Sequence, residues 1–230
     1  MRVVLLPGFT QTSASWRDVI DALDSGFVPV ALDIPPGHSW EATVTALAEA
    51  GGRGTWVGYS MGGRLALQIA LDRPDLVDHL VLVSASAGLR SQAEAQTRRS
   101  ADAQLADRIE AIGVDAFLAE WLAQPMFERV PVDASGLADR ARWSASDLAA
   151  TLRELGTGSM PNLWPRLTEL AAPVTIVTGR HDPKFCAIGD ELVAKCTNTE
   201  VARVTLDAGH AIPLEIPHFL EPVLRSKGRS

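Results

Sequence analysis

Short runs of apolar and β-branched residues recur along the chain. The runs are RVVLL at 2–6, VPVAL at 28–32, TWVGY at 55–59, HLVLVSA at 79–85, PVTIVTG at 173–179 and VARVTL at 201–206. Runs this short and this uniformly apolar predict strands buried on both faces. Between most of them, at 15–23, 41–50 and 64–71, apolar positions fall at helical spacing. Strands of this kind alternating with helices predict an α/β fold: a mostly parallel sheet flanked by helices.

One stretch breaks the alternation. From about 88 to 165 no strand pattern appears, and AEAQTRRSADAQLADRIEA and SDLAATLREL carry helical patterning. The expectation is a single domain over 1–230 with a helical cap inserted at 88–165. A cap placed there lies over the carboxyl ends of the strands, where open α/β sheets bind ligands. Gly156 and Gly158 offer hinges for its movement.

A second pattern carries chemistry. The stretch GYSMGG at 58–63 puts Ser60 between an apolar run and a helical one, on a sharp strand-to-helix turn. Gly58 and Gly62 flank it where a side chain would crowd the turn. G-x-S-x-G also occurs in turns with no catalytic role, so its partners must decide. A serine becomes a nucleophile or base only when a histidine takes its proton and a carboxylate orients that histidine. In this setting the order along the chain is Ser, Asp, His, each after a later strand. TIVTGRHDPKF places Asp182 after one apolar run, and VTLDAGHAIPLEIP places His210 after another. Ser60, Asp182 and His210 are therefore the candidate triad.

The rivals are weaker. His181 adjoins Asp182 and points elsewhere; Asp207 stands three residues before His210 as an alternative orienting carboxylate. His79 is expected to be exposed ahead of its strand. His38 sits in the turn-rich DIPPGH, and His218 belongs to the terminal helical region. An oxyanion site needs two backbone N–H groups near the serine. Met61 supplies one at the start of the helix, and Phe9 in LLPGFTQT supplies the other, with Gly8 allowing close approach.

Charge changes the picture in one respect. With net charge −7, the 230-residue chain carries no basic field that points to nucleic acid or a membrane surface, so an anionic ligand must be held by a few placed arginines. Arg64 lies four residues after Ser60 on the same helix face, meeting either a protein carboxylate or an anionic substrate. The helical insert adds Arg98, Arg99, Arg140 and Arg142. Two cysteines, Cys186 and Cys196, have no metal-ligand spacing and read as reduced packing residues. The apolar start MRVVLLPGF is too short for a secretory segment, and no stretch has membrane-spanning length; the expected location is the cytoplasm.

These motifs resemble the α/β-hydrolase superfamily and, within it, the 2-succinyl-6-hydroxy-2,4-cyclohexadiene-1-carboxylate synthases of menaquinone biosynthesis. The resemblance rests on GYSMGGR, TRRSADAQLADRIEAIG, FLAEWLAQPMF, GRHDPKF and above all LAATLRELGTGSMPNLWPRL, and spans nearly the whole chain. The resemblance implies a lyase that removes the proton α to a succinyl ketone and expels pyruvate. Ser60, Asp182 and His210 then form the triad, Phe9 and Met61 the oxyanion hole. Arg64, Arg98 and Arg142 bind carboxylates of a small tricarboxylate, and Tyr59 and Trp121 line the pocket. RARWSASDLA is about two residues shorter than in family members, so Arg140 can take the place of Arg142. No metal, nucleotide or flavin signature appears, and the implied reaction needs no cofactor. Two other classes remain: a serine hydrolase acting on a small carboxylated ester or a carbon–carbon bond, and a non-catalytic protein holding a small anion.

Overall fold

The computed structural model describes residues 1–226. Six strands form one parallel sheet: β1 (Arg2–Leu6), β2 (Val28–Ala31), β3 (Gly54–Tyr59), β4 (Val77–Val83), β5 (Val174–Gly179) and β6 (Val201–Leu206). Their order is β2-β1-β3-β4-β5-β6, so the serine-bearing strand β3 sits in the middle. Alternate residues of β1, β3, β4 and β5 feed two cores, whereas the edge strands β2 and β6 are only partly buried, contrary to the expectation from their apolar runs. Val4, Leu6 and Trp56 pack with helices α2 (Trp40–Gly51) and α3 (Met61–Asp72) on one face. Val3, Leu5 and Val57 pack on the other with α1 (Arg17–Asp21) and the C-terminal helices. Both faces being covered explains why the four inner strands read as continuous apolar runs.

The sequence placed His79 ahead of its strand and exposed; the structure places it inside β4 and buried. The strand begins at Val77, so the pleat turns Asp78 outward and His79 inward, where its Nε2 meets Thr175 Oγ1 at 2.9 Å. Cys186 and Cys196 are both free thiols.

Between β4 and β5 the chain is helical: α4 (Gln92–Ile112), α5 (Val114–Leu122), α6 (Leu137–Arg140) and α7 (Ala145–Leu155). Ser91 and Glu94 form a reciprocal capping box that starts α4, and the Ser144 side chain accepts the Asp147 amide to start α7. These helices share their own small core of Ile109, Phe117, Leu118, Leu148 and Leu152. Gly158 is no free hinge: a Cβ there would lie 2.4 Å from the Arg99 backbone nitrogen, so close packing on α4 accounts for this glycine. After β5 come α8 (Pro183–Lys195), then α9 (Ile212–Glu215) and α10 (Leu220–Ser226) after β6. Among the described residues, no helix is long and apolar enough to cross a membrane.

The turn from β3 into α3 is wedged against β1. The Gly62 amide donates to Pro7 O at 3.0 Å, and a Cβ on Gly62 would lie 2.3 Å from Leu6 O and 2.6 Å from Pro7 O. Both neighbours are backbone at a central strand and cannot swing aside. Gly62→Ala is expected to cost about 3 kcal/mol of stability, read as a lowered urea midpoint at unchanged slope. A midpoint equal to wild type would show that the loop after β1 yields freely.

Candidate active site

The carboxyl ends of β1, β3 and β4 each lead into a non-glycine residue with positive φ: Thr10 at 69°, Ser60 at 51° and Ser84 at 46°. Such backbone costs of order 1–3 kcal/mol per residue and persists only where surroundings impose it. At Ser60 they do: its amide donates to Val83 O at 2.9 Å, and its carbonyl accepts the Arg64 amide at 3.2 Å. The side chain is thereby thrust out of the turn.

His210, in the loop between β6 and α9, places Nε2 3.2 Å from Ser60 Oγ. Its Nδ1 lies 2.6 Å from Asp182 Oδ2. Asp182 is also the N-cap of α8, its Oδ1 accepting the Phe185 amide at 3.2 Å, with Pro183 opening the helix. One oxygen thus fixes the carboxylate to the scaffold while the other meets the imidazole. Phe185 packs on the His210 ring with centroids 4.5 Å apart, and Tyr59 approaches from 5.5 Å. Asp207 belongs elsewhere: it pairs with His181 Nε2 at 2.8 Å and with Arg180 at 3.7 Å.

Met61 is the first residue of α3, where amides have no acceptor within the helix. Phe9 lies in a loop closed by Gln11, whose Oε1 accepts the Gly8 amide at 2.9 Å. Phe9, Ser60 and Met61 all line a cavity of about 720 Å³. Its far wall comes from the helical insert, including Arg98, Asp102 and Leu105 of α4 and Leu152 of α7. A smaller recess of about 30 Å³ opens beside Ser60 and His210, lined also by Gln11, Tyr59, Trp121 and Arg140.

The arginines divide by position. Arg64 is buried; its Nη1 donates to Leu155 O at 3.0 Å, the last carbonyl of α7, and lies 3.6 Å from Met160 Sδ. Burial, with help from the Arg98 charge, pulls its pKa down to about 10. No carboxylate stands at ion-pair distance from Arg64 among the described residues. Arg98 donates Nε to the buried Asp102 Oδ1 at 2.7 Å while its own side chain is 44% exposed. Arg99 turns to Gly158 O at 3.2 Å instead.

Arg142 does not reach the site. Its side chain is 75% exposed and lies 3.9 Å from Asp139. Arg140 occupies the position instead, 2% exposed in the recess, its Nη1 donating to Thr10 Oγ1. Two residues apart on a helical turn point to nearly opposite sides, so only one of the pair can face inward. Burial lowers the Arg140 pKa to about 10, opposed by the Tyr59 phenol. Burial raises the Tyr59 pKa in turn. Lys184, two residues after Asp182, also lines the larger cavity. Its place in the first turn of the helix that the acid caps was the signal that could have marked it.

Trp121 stands between the two spaces, edge-on to Phe9 at 5.3 Å and stacked on Phe117 at 5.8 Å. Its Nε1–H is buried with no acceptor among the described residues.

This geometry accompanies a clear kinship. Residues 3–222 match the model of the alpha/beta hydrolase family. A Bacillus subtilis (strain 168) protein, provisionally named 2-succinyl-6-hydroxy-2,4-cyclohexadiene-1-carboxylate synthase, is 34% identical over 96% of this chain and 88% of its own. An Escherichia coli O1:K1 protein of the same name is 28% identical over 94% of this chain and 88% of its own. The solved structure of MenH from S. aureus superposes with a TM-score of 0.87 at 27% identity, covering 98% of this chain and 92% of that one. The chain belongs to the alpha/beta hydrolase family and, within it, to the group of 2-succinyl-6-hydroxy-2,4-cyclohexadiene-1-carboxylate synthases.

Proposed function

We propose that this enzyme eliminates pyruvate from 2-succinyl-5-enolpyruvyl-6-hydroxy-3-cyclohexene-1-carboxylate to give 2-succinyl-6-hydroxy-2,4-cyclohexadiene-1-carboxylate, in the cytoplasm. The observation that carries the reading is a serine hydrogen-bonded to a buried histidine and opening on a cavity whose lining includes the buried Arg64, which has no carboxylate partner among the described residues. Residues 88–165 serve as the cap of a single domain over 1–230.

Ser60 acts as the base toward carbon. As His210 Nε2 draws the hydroxyl proton, Ser60 Oγ takes the proton from the ring carbon α to the succinyl ketone. Asp182 holds the imidazole in the tautomer this needs and stabilises it once charged. Electrons from the broken C–H bond form an enolate, whose oxygen the Phe9 and Met61 amides stabilise. They then move through the ring double bond and break the bond to the enolpyruvyl oxygen. Two ring double bonds remain, and the proton on His210 goes to the departing pyruvate.

Holding a tricarboxylate in an acidic protein falls to few groups. Arg64 and Arg140 are the buried cations on the base side, and Arg98 reaches in from the cap. Arg140, not Arg142, takes the third carboxylate. The unpaired Trp121 Nε1–H favours a substrate oxygen beside it, since a buried donor without an acceptor costs about 1–3 kcal/mol.

The purified protein incubated with the cyclohexene substrate is expected to release one pyruvate per diene. Rapid acid quench followed by intact-mass measurement is expected to show no added mass, because Ser60 exchanges only protons. A substrate-derived adduct on Ser60 would make the enzyme a hydrolase of carboxylated esters or carbon–carbon bonds. Tight binding without turnover would make it an anion-holding protein.

A further inference from the structure

The histidine loop is gripped from behind by a carboxylate that touches neither the imidazole nor the cavities beside Ser60. Glu215, the last residue of α9, has a side chain only 5% exposed. Its Oε2 accepts the Gly209 amide at 2.6 Å, and its Oε1 accepts the Ala211 amide at 3.0 Å. These are the backbone amides of the two residues that flank His210. Arg129, from the segment between α5 and α6, stands 3.7 Å from Oε2 and is itself 43% exposed. We propose that Glu215, seated by Arg129, is a positioning residue for His210, fixing the backbone on both sides of the imidazole so that Nε2 stays aimed at Ser60.

Apart from Glu215, the backbone contacts that fix this loop to the Asp182 loop fall on only one side of His210. The His181 amide donates to Ala208 O at 3.0 Å, and Gly179 packs so closely that a Cβ there would lie 2.0 Å from Gly209 O. Those contacts tie residues 208 and 209 to the loop that carries Asp182. They do not reach the Ala211 amide, whose acceptor is Glu215, although Ala211 and Ile212 are themselves packed in the core. A carboxylate offers two oxygens in a rigid fork and can take both flanking amides at once. A carboxamide cannot: its one oxygen accepts a single amide, and its NH₂ faces the other donor. Aspartate keeps both oxygens, yet its stem is one methylene too short to reach both amides from the same backbone. Proton transfer between His210 and Ser60 is the step at stake. Displacing a catalytic group by about 1 Å can cost roughly a hundredfold.

The inference rests on the Ser60–His210 pair proposed above, so its test reads that pair without the natural substrate. A fluorophosphonate forms a bond to Ser60 Oγ with loss of fluoride, at a rate that depends on His210 taking the serine proton. The rate constant reports alignment; the final extent reports the fraction of molecules folded. Glu215→Gln is expected to slow labelling about tenfold or more at full final extent, with kcat for pyruvate release falling in parallel and KM within twofold. Glu215→Asp is expected to slow it as well, since the charge remains but one amide is lost. A wild-type rate constant in either variant overturns the proposal, and so does a loss confined to the final extent. Should neither variant fold, Arg129→Ala keeps both amide bonds and removes only a half-exposed partner. It is expected to label about threefold more slowly, and a wild-type rate there overturns the proposal. If wild-type protein is not labelled, or Ser60→Ala labels equally, the Ser60–His210 pairing itself fails, which is a different result.

Discussion

Ser60→Ala and His210→Ala are each expected to lower kcat roughly 10³-fold or more, with the fold intact and the double variant little worse than either single. The expectation follows from the 3.2 Å contact between Oγ and Nε2. A serine hydroxyl abstracts a proton from carbon only if its own proton leaves at the same moment, and His210 is the group placed to take it. Removing either partner therefore abolishes one shared step. Asp182→Asn should cost less than removing the histidine, because the residue still caps α8 through Oδ1 while losing its charge toward Nδ1. Steady-state pyruvate release measures kcat, and thermal melting confirms folding. Losses that multiply in the double variant would mean that the two side chains act independently. Activity surviving in Ser60→Ala would move the base elsewhere, and the imidazole of His210 would become the first group to test.

The triad candidates were legible because each follows an apolar run and their order along the chain is fixed by the sheet. Strand β3 is buried at every position, so it reads unmistakably as a strand, and the helical pattern after it forces a turn at Ser60. The same logic reached Asp182 after β5 and His210 after β6. His79 escaped it because a strand's first residue has no strong local signal. Starting β4 two residues earlier reverses an exposed histidine into one buried against Thr175. The order of Arg140 and Arg142 was illegible for a related reason. Helix α6 spans four residues, too few for a periodicity to declare which face turns inward. Gly156 and Gly158 looked like hinges, whereas contacts with α4, more than fifty residues away in sequence, decide their packing. Long-range contacts of this kind have no trace in a local pattern.

Arg140 and Arg142 offer the sharpest test of how the site holds its anion. Arg140→Ala is expected to lower kcat/KM about a hundredfold, close to 3 kcal/mol, whereas Arg142→Ala should stay within twofold of wild type. Burial decides the difference. Arg140 is 2% exposed beside Ser60 and His210, so a carboxylate meeting it has given up its water and depends on the guanidinium. Arg142 is 75% exposed, and whatever it pairs with stays solvated. Arg140→Lys should recover only part of the loss, because an ammonium supplies a point charge without the planar fork. Added salt should weaken wild-type binding only modestly, since a covered pair is poorly screened. Arg98, 44% exposed and already engaged by Asp102, should fall between the two and act mainly on KM. If Arg140→Ala keeps wild-type kcat/KM, its hydrogen bond to Thr10 is a purely structural tie. The third carboxylate would then have to meet another cation of the larger cavity, with Lys184 the first to replace.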